Sequence, residues 1–445
     1  MFLNILNVFN YCKVLNSFFG GGNLNIKCYF IIYLLFFSIL ILSNVNVGFG
    51  GVYTITDKLN LYNDNKLIVN QIVRDELYKM QLSKELSFNL IFETDSEARK
   101  YEIDNSITMA IIINRDDVES EKFKVTNLEL YKNIINIGLS IVFYKSYEDY
   151  NGKNKNIIIS TIPIAGYSFS LENKALSLNE INKIFCKTTK ELFSDNVFRK
   201  LKKINLEIIS GKIKKINKNN VELDIGRKNG LVDNQFIKFY ENNEEKFKGK
   251  IIDLKINSAL VEYDNFIPTK NLIARTYNIK YSSNETYQVV GFNITSNKAK
   301  EYFSEDYFGP IVSQWFSDTL SNELGKAVYP SKISGNWITD ATNNSFQILL
   351  KDGTEYLFEV PTPDNEIYLV ISGVTSKIIS KNNINHIKLF KGWLEVENKS
   401  KNKKIEIDYF FNKKVVNEMQ NYSDKSLYFN LFYELIKSSI EDIIL

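Results

Sequence analysis

Residues 211–262 read GKIKKINKNNVELDIGRKNGLVDNQFIKFYENNEEKFKGKIIDLKINSALVE, and this stretch decides the fold class. Ile213 and Ile216 belong to a first short run. Val221, Leu223 and Ile225 alternate with Glu222 and Asp224 in a second. Phe236, Ile237 and Phe239 mark a third, Ile251, Ile252, Leu254 and Ile256 a fourth, and Ala259–Val261 a fifth. Period-two alternation, punctuated by Gly, Asn and charged residues every 8–12 positions or so, predicts a small antiparallel barrel, SH3-like or similar. Gly226 and Gly230 bracket a turn that calls for positive φ. A module of this kind binds or scaffolds.

Working outward, the flanks read as α/β. Upstream, Val52–Ile55 is expected as a strand, followed by a helix with Val69, Ile72, Val73, Leu77 and Met80 on one face. Strands are expected at Phe88–Phe92, Ile107–Ile113, Asn133–Tyr144 and Ile157–Ile164. Ser177-Leu178-Asn179-Glu180 is a capping box that opens a closing helix carrying Ile181, Ile184, Phe185, Thr188 and Leu192. Downstream the order recurs. A strand at Tyr287–Phe292 precedes a helix with Pro310 near its start, and Val312, Trp315, Phe316 and Leu320 repeat the spacing of Val69, Ile72, Val73 and Leu77. Phe346–Leu350 and Tyr356–Val360 flank Asp352-Gly353, a hairpin signal. Strands then follow at Ile367–Ile371, His386–Val396 and Ile405–Phe411. A last helix presents Tyr428, Leu431, Phe432 and Leu435, the spacing of Ile181, Ile184, Phe185 and Thr188. Ile107 aligns with Ile367 only if the second half holds an insertion, for which the Asp352-Gly353 hairpin is the candidate. The expected architecture is two similar α/β (or α+β) domains, a duplication or a coincidence of helical pattern, flanking the barrel. The expected boundaries are 1–50 for an N-terminal extension and signal, 51–203 for the first α/β domain, 204–263 for the barrel, 264–286 for a connector and 287–445 for the second α/β domain.

Composition limits the function. The 445 residues suffice for two to four domains, and 44% hydrophobic with 13% aromatic residues supplies real cores. Fifty-five basic against 52 acidic side chains leave +3, without the basic excess of a nucleic-acid binder. Cys28–Leu42 (CYFIIYLLFFSILIL) is an apolar run behind Lys27 and ahead of the small, polar Ser43–Gly51. It matches a signal peptide with Gly48-Phe49-Gly50 as the cleavage site, and is short of the ~20 residues of a spanning helix. The alternative is an anchor retained at 28–42. Export to the periplasm or outer membrane is therefore expected, with membrane contact only through an uncleaved N-terminal segment. After cleavage Cys186 would be the one remaining thiol, so stability must come from packing and not from a disulfide.

The pattern Gly211-Lys-Ile, Val221-Glu-Leu-Asp-Ile-Gly226, Gly230-Leu, Phe236–Tyr240, Gly249-Lys-Ile and Ser258-Ala-Leu-Val resembles the C-terminal domain of flagellar assembly protein T. That resemblance spans about fifty residues. It implies a periplasmic protein whose barrel accompanies α/β domains, one of them similar to the N-terminal domain of TolB. Related architecture occurs in envelope proteins of the curli secretion component CsgG type. The barrel is central here and last in that family, so the envelope setting carries over more readily than the flagellar role.

Motifs for chemistry are absent from the sequence. His386 is the single histidine, which excludes a zinc site of two or more histidines in one chain. There is no nucleophile elbow, phosphate loop, dinucleotide fingerprint or EF-hand. Arg115-Asp116-Asp117, past the apolar strand, and Glu305-Asp306, ahead of a helix, are the carboxylate groups able to bind a cation or serve as acid and base. Their simpler readings are a solvated loop and a helix-dipole charge. Trp315 and Phe316 are expected in a core. Tyr240, Phe247 and Tyr263 are either barrel packing or a peptide or glycan platform. No catalytic, cofactor or metal residue is assigned. The reading is a non-catalytic envelope assembly or scaffold component that binds protein partners and can assemble into oligomers, in a secretion or flagellar setting. Its rivals are an exported hydrolase with a carboxylate pair acting on glycan or peptide, and an extracellular ligand-binding or adhesion protein.

Overall fold

The computed structural model describes residues 45–54, 60–92, 107–125, 128–148, 154–231, 235–242, 244–264, 267–280, 285–323, 325–333, 337–339, 344–349, 355–381, 385–416 and 424–444. The apolar segment 28–42 and the turn residues Asp352 and Gly353 lie outside them. The first repeat starts with β1 (Val45–Thr54), crosses over through α1 (Asn60–Ser83) and reaches β2 (Phe88–Ile91) and β3 (Ile107–Val125). β1 and β3 are parallel, and parallel neighbours need such a crossover. α1 supplies it and buries Val69, Val73, Leu77 and Met80. β3, β4 (Leu128–Glu148) and β5 (Asn154–Glu172) form an antiparallel meander. Ile107–Ile113 is buried at every position, as a strand covered on both faces must be. α2 (Leu178–Glu191) begins with the Ser177–Glu180 capping box and runs through a π-helical turn, Leu192–Val197, into α3 (Phe198–Lys203).

Two expectations for this region need correction. Gly48-Phe49-Gly50 lies inside β1, where Val47 and Phe49 are buried and paired with Ile107 and Met109. Cleavage there would remove half of a central strand, so the first domain starts ahead of residue 51. The strands β3 to β5 also run far beyond their apolar centres, because the polar stretch 114–125 continues to pair with β4.

The barrel consists of β6 (Asn205–Ile216), β7 (Asn220–Leu223), β8 (Phe236–Glu241), β9 (Glu244–Leu254), β10 (Ala259–Glu262) and β11 (Ile273–Lys280). It closes in the order β10-β7-β6-β11-β8-β9. The connector expected at 264–286 therefore contains the sixth barrel strand. β11 turns Ala274 and Thr276 inward, and small or polar inward residues leave no hydrophobic alternation to read. Ile256, expected in the fourth strand, is instead exposed in the turn after β9.

The second repeat retraces the first with β12 (Thr286–Ile294), α4 (Asn297–Lys300), α5 (Glu305–Glu323), β13 (Ala327–Val328), the inserted β14 (Trp337–Thr339), β15 (Asn344–Leu349) and β16 (Glu355–Val360), then β17 (Asn365–Lys381), β18 (Asn385–Asn398), β19 (Lys403–Val416) and α6 (Asp424–Ile444). β12 and β17 are parallel across α5, as β1 and β3 are across α1. Bulges fall at matching places, Phe49/Gly51 with Val289/Gly291 and Ile113/Arg115 with Ile371/Gly373. Matched register makes Met109, two residues past Ile107, the counterpart of Ile367. Phe308, Trp315, Phe316, Tyr428, Phe432 and Leu435 build this repeat's core under α5 and α6.

The repeats share one 13-stranded sheet, which includes the path β19-β18-β17-β12-β13-β5-β4-β3-β1-β2. β13 meets β5 at Val328 and Thr161, and β16 of the inserted hairpin lies parallel to β5 at Asn156 and Ile157. α5 locks this joint. Gln314 Nε2 donates to the carbonyls of Leu139 (3.0 Å) and Ile164 (3.1 Å), and Asn114 Nδ2 donates to Gln314 Oε1 (3.1 Å). Asp318 is ion-paired with Lys200 of α3, which also donates to the Pro163 carbonyl at 2.8 Å. Burial pulls Lys200 down and pushes Asp318 up, while their mutual attraction opposes both. Asp318→Ala should cost about 3–5 kcal/mol in urea unfolding, because it strands a buried ammonium. Lys200→Met with Asp318→Leu should cost much less than Asp318→Ala alone.

Candidate functional site

The bulge on β3 places Arg115, Asp116, Asp117 and Glu119 where the repeats meet. Arg115 is 7% exposed, ion-paired with Asp117, and stacked 5.2 Å from the Tyr307 ring centroid at the start of α5. Burial lowers its pKa, and Asp117 opposes the shift. Lys425 of α6 pairs with Glu119 at 2.8 Å and sits 5.4 Å from the same ring. Burial and the negative charge of Glu119 raise the Tyr307 phenol. Tyr307 is thus held between two cations, one from each repeat.

Asp116 points the other way. Its Oδ2 accepts the Tyr62 backbone N–H at 2.7 Å, at the start of α1. Burial pushes its carboxyl up to about 7, with the charge of Asp117 adding to the rise and the Tyr62 hydrogen bond opposing it. Consecutive strand residues face opposite sides of a sheet. Asp116 and Asp117 therefore cannot face each other across a cleft, as a glycosidase pair must. Each carboxylate here already has its own internal partner. Among the described residues no three His, Cys, Asp or Glu side chains converge as a metal-ligand set.

A second polar contact fastens the barrel to the sheet. Lys145 of β4 is fully buried and donates to the Gly230 carbonyl (2.7 Å) and Thr276 Oγ1 (2.9 Å). Gly230 has φ +80, a left-handed conformation that favours glycine. Burial alone pulls the amine from 10.5 down to about 7. A neutral amine has two N–H groups for these two acceptors, and the charged form brings a third. The sequence analysis missed this residue. A lysine ending the apolar run Leu139–Tyr144 is the signal that would have found it.

The remaining residues singled out from sequence have structural surroundings. Glu305 accepts the Ile294 N–H at 3.0 Å and ties α5 to β12. Trp315 and Phe316 are core residues. Phe247 stacks on Phe239 at 4.3 Å, Tyr263 donates to the Asn217 carbonyl at 3.0 Å, and Tyr240 lies under Arg275. These contacts are barrel packing. Cys186 is half-buried on α2, and burial raises its thiol. The His386 backbone pairs in β18, and its side chain lies outside the described residues.

The two shifted groups predict opposite pH dependences. Asp116 has a raised folded pKa, so the stability it lends is complete in acid and is lost as pH rises through about 7. Asp116→Asn keeps an acceptor for Tyr62. It should change Tm little below pH 3.8 and raise it at pH 8, by about 2–4 °C if it recovers 1 kcal/mol. Lys145 has a depressed folded pKa, so its contribution climbs with pH from about 7 towards 10.5. Urea titrations across that window should show the climb in the native protein and a flatter profile in Lys145→Met.

No protein-family model matches the chain, and no curated protein matches it in sequence. Among solved structures, one similar chain is a neuraminyllactose-binding hemagglutinin homolog from Helicobacter pylori. It is 13% identical, with a TM-score of 0.24, over 36% of this chain and 84% of that one. Another is a minor lipoprotein from Acinetobacter baumannii, 9% identical, with a TM-score of 0.19, over 35% of this chain and 90% of that one.

Proposed function

We propose that this chain is an exported bacterial envelope protein that works as a non-catalytic scaffold, holding protein partners in a secretion- or flagellum-associated assembly. The observation that carries the reading is an exposed stripe on α1. Leu67 is 85% exposed, and Ile68, Tyr78 and Leu82 are more than half exposed. The helix in the matching position of the second repeat, α5, buries Ile311 and Gln314 and ion-pairs Asp318 at the joint between the repeats. A stripe of this composition suits a protein surface more than a substrate. The barrel, fastened through Lys145, adds a second set of loops to the same compact unit. Export rests on the sequence of segment 28–42. No described helix is long and apolar enough to cross a membrane.

Since β1 starts at Val45, processing that preserves the strand falls between Leu42 and Val45. Fractionation of cells producing the tagged protein, with N-terminal sequencing and crosslinking mass spectrometry, tests both parts. Expected are an N-terminus no later than Val45 and co-recovery of envelope machinery. A soluble, partnerless monomer in the medium would sink the scaffold reading.

A further inference from the structure

We infer that the exposed face of α1 is a self-complementary interface for a second copy of this chain. The two α1 helices pack antiparallel about a two-fold axis that passes between Arg74 and Asp75. This inference rests on the reading of α1 as a protein-binding surface and names the partner. Its basis is the order of the side chains that α1 presents to solvent.

Leu67, Gln71, Arg74, Asp75, Tyr78 and Leu82 are all exposed. At 3.6 residues per turn they share one face of the helix, about 100° wide. Val69, Val73, Leu77 and Met80 occupy the opposite, buried face. The exposed face reads alike from both ends. Turned end over end and laid on itself, it sets Leu67 against Leu82, Gln71 against Tyr78 and Arg74 against Asp75. Each of these contacts occurs twice, once on either side of the axis.

The centre of the face decides the direction of pairing. Antiparallel helices bring Arg74 of each copy to Asp75 of the other, and their dipoles oppose. Parallel helices on a two-fold axis would set Arg74 against Arg74 and Asp75 against Asp75, and like charges repel. Asp75 Oδ1 already accepts Gln71 Nε2 at 2.7 Å, which orients the carboxylate. Its second oxygen suits the guanidinium of the other copy. Every side chain in this pairing is exposed, so the chain need not rearrange to form it.

The matching helix of the second repeat uses the same face as a contact surface, with different residues. With Val69, Val73 and Leu77 set on Val312, Phe316 and Leu320, Arg74 and Tyr78 fall on Ser317 and Ser321. Small residues let α5 lie close to the sheet, where Gln314 reaches the Leu139 and Ile164 carbonyls. The larger side chains of α1 suit the ~8–10 Å between two packed helices. One helix face offers less than the ~800 Å² per partner of a standard interface. The dimer is therefore expected to be weak, to exchange with monomer and to loosen in salt at its two exposed ion pairs. Both copies use the same patch, so the contact is isologous and closes at two chains.

The test uses the full chain with Cys12, Cys28 and Cys186 replaced by Ser, in two forms that carry Leu67→Cys or Leu82→Cys. In the antiparallel pair the two copies of position 67 lie ~22 Å apart along the helix axis, so neither form should crosslink alone. Mixing the two forms under mild oxidation should give a disulfide-linked dimer. Sedimentation of the native chain should show mass rising with concentration. Arg74→Asp turns two ion pairs into like-charge contacts and should weaken that association about tenfold. Arg74→Asp together with Asp75→Arg should restore it, with Tm at low concentration unchanged in both variants. Ready crosslinking of Leu67→Cys alone overturns the antiparallel pairing. No dimer in the mixture, with monomeric mass at every concentration, overturns the inference. If crosslinks from α1 in cells reach envelope proteins and no second copy, the dimer is overturned and the scaffold reading stands. Self-association without any other envelope protein leaves the dimer standing and removes the scaffold role.

Discussion

A sheet edge that is buried must have its backbone groups satisfied, and the β5 edge is where this fold meets that demand. The first repeat ends on a strand with little charge, Ile158 to Ile164, that would be an aggregation site if left open. β13 and β16 take parts of its edge, and Gln314 caps two carbonyls that neither strand reaches. The position of α5, the pairing of Asp318 with Lys200 and the burial of Arg115 against Tyr307 all follow from closing that edge with the second repeat. A carboxamide suits the task because it donates to two carbonyls and still accepts from Asn114.

Much of this was legible in the residues because local patterns report local structure. The stripe Val69, Val73, Leu77 and its echo in Val312, Phe316, Leu320 marked the two crossover helices, and Ser177 with Glu180 marked the start of α2. The alternation of Val221, Leu223 and Ile225 marked the barrel. What escaped has no local signature. β11 hides behind Ala274 and Thr276, small or polar residues that face inward. The polar continuation of β3 past Asn114 has charges where a half-buried strand would show alternation. That β5 pairs with β13 depends on residues more than 160 positions apart, and no window of sequence records it.

The chemistry residues divide the same way. The carboxylates Asp116 and Asp117 were visible as a cluster, and strand alternation then places them on opposite faces. Lys145 was passed over because a lysine at the end of an apolar run reads as the run's stop. Its burial places a titrating group between sheet and barrel, while Asp116 places another between sheet and α1. The two windows adjoin: Asp116 loses stability as pH rises towards about 7 and Lys145 gains it above, so their combined contribution passes through a minimum near neutrality.

The barrel enters and leaves the chain at a single place. Asn205 and Lys280 face each other as the end pair of the β6–β11 ladder, so the two connections lie about 5 Å apart. In evolutionary terms the barrel is a cassette: a short turn could replace it without moving either repeat, and a different module with neighbouring ends could be spliced in at the same spot. The repeats are free to keep their joint while the cassette diverges, and relatives of this protein can share the sheet while differing wholly in what stands beside Lys145.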